Sequence, residues 1–170
     1  MASGVEGVLT ISIGMGVSPE PGAIELLRRY STALNHAISK ILRLDLRSIG
    51  EVHNTLYREP KQWFGLPPRL AIDCYKGAFT NANAWKNNPK KGMRPRVKKL
   101  GMLLYPGLSY WIKDGYVEII GGIRLSIIGW DRKYDDYENG EARLVYREGK
   151  MMLWISKRVP KQSLTSPGML

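Results

Sequence analysis

A helix cannot run through residues 85–99. Pro89 and Pro95 each lack the backbone N–H that a helix needs and clash with the preceding turn, and Gly92 lies between them. The same stretch holds seven cations (Lys86, Lys90, Lys91, Arg94, Arg96, Lys98 and Lys99) and no acid. It also separates two periodicities. Before it, apolar residues recur at steps of three and four; from Met102 onward they alternate. The chain must therefore pass from a helical block to a strand block through an extended, solvent-facing, cationic hinge. A run of this kind serves either as a solvated linker or as a contact for a polyanion.

The helical block reads as three helices. Residues 18–22, rich in proline, break the first strand, and Ser18 is a candidate N-cap with Pro19 at the first helical position. A long helix over residues 23–44 follows, with Ile24, Leu27, Tyr30, Leu34, Ala37, Ile38, Ile41 and Leu42 on one stripe. Arg28, Arg29, Lys40 and Arg43 fall mostly off it. Ser48 caps a second helix reaching about residue 58, with Val52, Leu56 and Ile49 toward the core, and Glu59-Pro60 ends it. Trp63, Phe64 and Leu66 read as an apolar plug for the core, with an exposed stacking platform as the lesser alternative. The third helix spans residues 68–86 and carries Cys74 on its apolar side.

One strand precedes this block, at residues 8–13, with Leu9, Ile11 and Ile13 on one face. The others follow the hinge: 103–105, then 108–113 and 116–120 joined by Asp114-Gly115, then 123–128. Residues 130–140 form a polar loop. A last hairpin, 142–146 with 151–157, turns at Glu148-Gly149. Residues 160–170 read as a loose tail.

Charge sharpens this division. The formal net charge of +11 favours nucleic acid or another anionic surface as partner. Residues 17–98 hold 15 Lys and Arg against 6 Asp and Glu, whereas the remainder holds 11 against 9. The basic character thus belongs to the helices and their exit. No apolar run approaches the roughly 20 residues that cross a bilayer, and the N-terminus, with Glu6 and no basic start, makes a poor signal peptide. A cytoplasmic protein is expected. The lone Cys74 excludes an internal disulfide and reads as a small buried hydrophobe. His36 and His53 have no further ligands at metal-binding spacing, so neither metal nor cofactor is expected.

Three stretches carry a family resemblance. The first is residues 21–42, with Ile24-Glu25-Leu26-Leu27-Arg28-Arg29-Tyr30 and Asn35. The second is 66–75 together with 85–97. The third is 141–153. In this order they resemble the N-terminal half of TnpB, a family of RNA-guided nucleases encoded by small transposons. The resemblance covers about residues 8–160. It implies an α+β fold, a small wedge-type, OB-like β-barrel interrupted by a three-helix recognition insertion. Residues 7–16 and 99–159 would form the barrel, 17–98 the insertion with its basic hinge, and 160–170 a flexible tail. In TnpB the last hairpin leads into a RuvC-type domain whose carboxylates bind two metals. Here the sequence ends ten residues after Pro160, and the one dense acidic cluster, Asp131, Asp135, Asp136 and Glu138, sits among Lys and Arg in a single loop. Nuclease activity is therefore not carried over.

A non-catalytic structured-RNA-binding protein is the function these expectations favour. It would grip rRNA or a structured small RNA within a stable ribonucleoprotein, beside ribosomal or other subunits. Its contacts would be the seven hinge cations, supported by Arg28, Arg29, Lys40 and Arg43. Two other classes stay open. One is a DNA-binding regulator reading bases with Asn81, Asn83, Asn87 or Asn88. The other is the nucleic-acid-binding half of a split nuclease, docking a partner near residues 151–154.

Overall fold

A computed structural model describes residues 7–161. Seven strands form one nearly closed antiparallel barrel: β1 (Val8–Val17), β2 (Leu100–Leu104), β3 (Tyr110–Lys113), β4 (Tyr116–Ile119), β5 (Ile123–Trp130), β6 (Asn139–Arg147) and β7 (Lys150–Pro160). Their order around the sheet is β2-β6-β7-β1-β5-β4-β3. The seam between β2 and β3 is crossed by residues 105–109 alone, so the two edges are chain neighbours. The barrel has no closure without β1. That strand pairs with β7 over its full length, from Val8↔Pro160 to Val17↔Met151, and with β5 from Met15↔Trp130 to Val17↔Ile127. An unpaired edge next to the core is a liability, and the N-terminal strand removes it.

The expected alternation of β1 holds, but the buried end differs. Ile13, Met15 and Val17 are buried, while Leu9, of the same parity, is exposed. Two turns follow local chemistry. Gly115 takes a positive φ of 80° between β3 and β4, and Glu148 and Gly149 take φ of 53° and 77° between β6 and β7. The latter pair has the sign pattern of a type I′ hairpin turn, where glycine at the second position removes half of the strain. Pro160, expected to begin a tail, instead ends β7 opposite Val8. The rest of that expected tail, from residue 162, and the N-terminal residues 1–6 lie outside the described residues.

Between β1 and β2 the chain builds the helices α1 (Pro21–Leu44), α2 (Ile49–Leu56), α3 (Glu59–Gln62) and α4 (Pro68–Asn87). Three match the expected ones; the single turn α3 forms where Glu59-Pro60 was expected only to stop α2. The start of α1 also differs. Glu20 is its N-cap and Pro21 its first residue. Ser18 does not cap it, because its N–H and hydroxyl are already committed to β5: Ser18 N donates to Ser126 O at 2.9 Å, and Ser126 N donates to Ser18 Oγ at 3.1 Å. Ser48 does cap α2, accepting from Glu51 N at 3.1 Å. Ile49, expected in the core, is exposed.

α1 buries Leu26, Leu27, Tyr30, Leu34, Ile38 and Ile41 against α4, which answers with Leu70, Cys74, Ala78 and Ala82. The small residues of α4 allow close approach, and a Cβ on Gly77 would meet Leu34 at 3.8 Å. This interface merges with the barrel interior (Met15, Met102, Leu104, Leu125, Leu153) into one apolar cluster. α1 also packs on β2, which fixes the insertion against the barrel wall. No helix among the described residues is long and apolar enough to cross a membrane.

Candidate nucleic-acid interface

The basic segment leaves α4 at Asn87 and runs to β2 without regular secondary structure, yet it is tied down at both ends. At its start, Asn88 Oδ1 accepts from Lys90 N at 3.0 Å, and Trp85 Nε1 donates to Gly92 O at 3.3 Å. At its far end, the Asn35 side chain holds the Val97 backbone twice. Asn35 Nδ2 donates to Val97 O at 2.9 Å, and Val97 N donates to Asn35 Oδ1 at 2.7 Å. A primary amide has the donor and acceptor spacing of a peptide group, so Asn35 takes the place of a neighbouring strand. The Val97 side chain packs on the core between these bonds. Residues 88–99 are therefore a strap across α1. Arg94 and Pro95 lie by Ser39 and Leu42, and Arg96 to Lys98 lie by Ser31 and Thr32, so the strap runs antiparallel to the helix.

Helix geometry then separates the expected supporting cations into two pairs. Arg28, Thr32, Asn35, Ser39 and Arg43 follow one stripe at steps of three and four, the stripe that the strap covers. Arg28 and Arg43 are exposed on it. Arg29 and Lys40 lie on the neighbouring stripe and are used inside the fold. Arg29 Nη1 donates to Gly65 O at 2.8 Å and pairs loosely with Glu25 at 4.0 Å. Lys40 forms an ion pair with Glu59, whose other carboxylate oxygen meets His36 Nε2 at 3.0 Å. Glu59 is buried, so it needs both partners. Lys86 is similarly occupied, with Nζ at 3.2 Å from Asp45 Oδ1 and 3.3 Å from Leu46 O. Asp45 sits at the left-handed C-cap of α1 with φ of 51°. Its carboxyl is held below the usual range, first by the hydrogen bond from Arg47 and then by that from Lys86. The other six hinge cations, Lys90, Lys91, Arg94, Arg96, Lys98 and Lys99, are exposed.

Beyond the strap lies a groove of about 640 Å³ between α4, the strap, β2 and β6. Five cations from three elements converge on it: Lys76 from α4, Arg96, Lys98 and Lys99 from the strap, and Arg143 from β6. Tyr30, Asp73 and Tyr105 line it as well. Burial pushes both phenols and the Asp73 carboxyl up, the last against the opposing pull of Arg69, whose Nε donates to Asp73 Oδ2 at 3.1 Å. Sequence reasoning missed Lys76 and Arg143. Arg143 sits at an outward position between the buried Ala142 and Leu144, so alternation marks its exposure but not its neighbours. The groove exists only after α4 and β6 meet.

The apolar loop cluster divides. Leu66 is buried and Phe64 partly so, but Trp63 is 63% exposed, because the α3 turn lifts it to the surface with Lys40 Nζ 5.8 Å from its ring centre. Cys74 is buried, as expected, with its thiol pushed up to about 12 by burial and then by the charge of Asp73. His53 Nδ1 meets the Tyr75 hydroxyl, and its ring stacks on Tyr57. Among the described residues, no group of three or more His, Cys, Asp or Glu side chains could hold a metal ion. Asp131 caps the turn Arg132–Tyr134 by accepting from Lys133 N at 3.0 Å. Of the asparagines considered for base reading, Asn81 donates to Gly77 O within its own helix, and Asn88 stabilises the strap turn. No family model matches the chain.

Proposed function

We propose that this protein binds structured RNA through its phosphate backbone, without catalysis, as a component of a cytoplasmic ribonucleoprotein. The RNA is rRNA or a structured small RNA. The observation that carries this reading is the strap: a segment with six exposed cations, tied at its start by Asn88 and Trp85 and at its far end by the Asn35 clamp, and bordered by the cationic groove. Fixed cations lose little conformational freedom on meeting phosphates, and each neutralised phosphate releases condensed counterions. A cationic line displayed on a rigid support recognises the spacing of phosphates, which is a reading of shape. The resemblance to the RNA-holding half of TnpB supports the same reading.

The test replaces Lys90, Lys91, Arg94 and Arg96 together by Gln and follows binding of a structured RNA against salt. If all four cations meet phosphates, the slope of log K against log [salt] falls by about 3. An unchanged slope would mean that the strap faces only water. Duplex DNA of the same sequence, run in parallel, identifies the preferred nucleic acid; tighter binding to DNA would reject the RNA assignment.

A further inference from the structure

The outer face of the barrel carries a feature that phosphate binding does not use. Along β7, Met151, Leu153, Ile155, Lys157 and Val159 point inward, so Met152, Trp154, Ser156 and Arg158 point outward. A water-facing wall calls for polar residues at those positions. Trp154 is nonetheless 44% exposed there. Its cross-strand partners are Gly14 on β1 and Arg143 on β6. A Cβ on Gly14 would stand 2.8 Å from Trp154 Cζ3, 3.0 Å from Cη2 and 3.1 Å from Met152 Cε. The six-membered ring therefore lies over the bare backbone of Gly14, with Met152 beside it. Gly16 pairs with Met152 and with Gly129, which extends a side-chain-free floor to Ile128, 72% exposed at its rim.

Covering a strand glycine with an aromatic ring accounts for the underside of Trp154. It does not account for the upper side, left in water on the same outer face as a second exposed apolar residue, Ile128. Charge indicates the occupant. Arg143 stands directly across from Trp154 and lines the cationic groove, and its Nη1 lies 4.0 Å from the Cβ position of Gly101 on β2. Arg158 lies four residues along β7, at the second outward position after Trp154, with Glu141 also near that end. The platform is thus the continuation of the groove, joined to it by Arg143 across from the aromatic face.

We infer that the outer face of β1, β7 and β6 is a stacking platform for unpaired bases, with Trp154 as the stacking surface and Arg143 guiding the phosphates from the groove onto it. The RNA then carries a single-stranded segment adjoining its structured part. This inference rests on the RNA-binding reading above. Every base has a π face, so stacking on Trp154 is tolerant of sequence. A ring already held against Gly14 loses little freedom when a base covers it.

Trp154→Leu tests the idea, because leucine still covers Gly14 with apolar bulk but offers no π face; Trp154→Phe restores one. The probes are an unstructured ten-nucleotide oligouridine and a blunt RNA duplex of equal length. Trp154→Leu is expected to weaken oligouridine binding on the order of tenfold at every salt concentration, with an unchanged salt slope, and to change duplex binding less than twofold. Phenylalanine should recover most of the loss, and oligouridine should quench tryptophan fluorescence in the parent protein but less in Trp154→Leu. Equal oligouridine affinity of the leucine variant and the parent would overturn the platform, as would an equal loss for duplex. The two readings fail separately. An unchanged salt slope in the strap variant removes the strap from RNA binding while a loss confined to oligouridine keeps the platform. A parent protein that binds neither probe removes both.

Discussion

Replacing Asn35 by Ala removes the clamp without changing a charge. Two hydrogen bonds to the Val97 backbone disappear, at 2.9 and 2.7 Å. Each such bond contributes a net of about 1 kcal/mol, so the strap should open locally more easily by about 2 kcal/mol. At 1.4 kcal/mol per factor of ten, Val97 N–H should exchange with solvent roughly 30-fold faster. The amide of Leu153, paired with Leu144 and Met15 in the barrel centre, serves as the internal reference and should not change. Asn35→Asp separates the two bonds. A carboxylate still accepts from Val97 N–H but cannot donate to the Val97 carbonyl, and it sets oxygen against oxygen there. Its Val97 amide should lie between the parent and the alanine variant. RNA binding follows from the same figure. The charges remain, so the salt slope should hold, while affinity falls by at most the factor seen in exchange, because binding must now order the strap. Exchange at Val97 unaltered by Asn35→Ala would show that Val97 packing alone holds the strap. A parallel rise at Leu153 would show a weakened fold rather than a freed strap. Either result refutes the clamp.

Two further outcomes concern groups committed to the interior. Burial raises the Cys74 thiol from about 9 to about 12, so the fold favours the neutral form; the stability this group contributes should be constant below about pH 9 and be lost as pH rises from there toward 12. Urea midpoints across this range should decline less steeply in Cys74→Ala, and native Cys74 should resist iodoacetamide at pH 8 until the protein unfolds. Lys86→Gln should lower the melting temperature through loss of its bonds to Asp45 and Leu46, and should leave the salt slope of RNA binding unchanged. A slope reduced as much as by a strap cation would place Lys86 on phosphate instead.

Periodicity made the elements legible, and topology made the rest illegible. The α1 stripe, the Ser48 cap and the hairpin at Glu148-Gly149 depend on neighbours within a few residues, and they stand where local chemistry puts them. Ser18 looked like a cap because its real partner, Ser126, is 108 residues away. Trp63 looked like core because its neighbours are apolar, but burial of Glu59 and Pro60 beneath the α3 turn displaced it outward. The same limit governs the cations. Arg29 and Lys40 are not told from Arg28 and Arg43 by composition; a step of one residue along α1 turns a side chain by about 100°, from the strap toward Gly65 and Glu59. Lys76 and Arg143 gain meaning only when α4 meets β6.

The strap is a consequence of how the barrel closes. β1 pairs with the last strand, and β2 must lie on the far side of β6, so the chain leaving α4 has to return across α1 to reach its place. Glycine, serine or glutamine would span that path as well as lysine and arginine do. Among the described residues, none of Lys90, Lys91, Arg94, Arg96, Lys98 and Lys99 forms a salt bridge. Six like charges along twelve residues lie within a Debye length of their neighbours and repel one another. They therefore weaken the closed strap, while Asn35, Trp85 and Val97 hold it closed. A local arrangement that acts against stability, supported by groups placed to resist it, is what the proposed binding role of the strap requires. The strap variant that loses four cations should accordingly melt no lower than the parent even as its hold on RNA weakens.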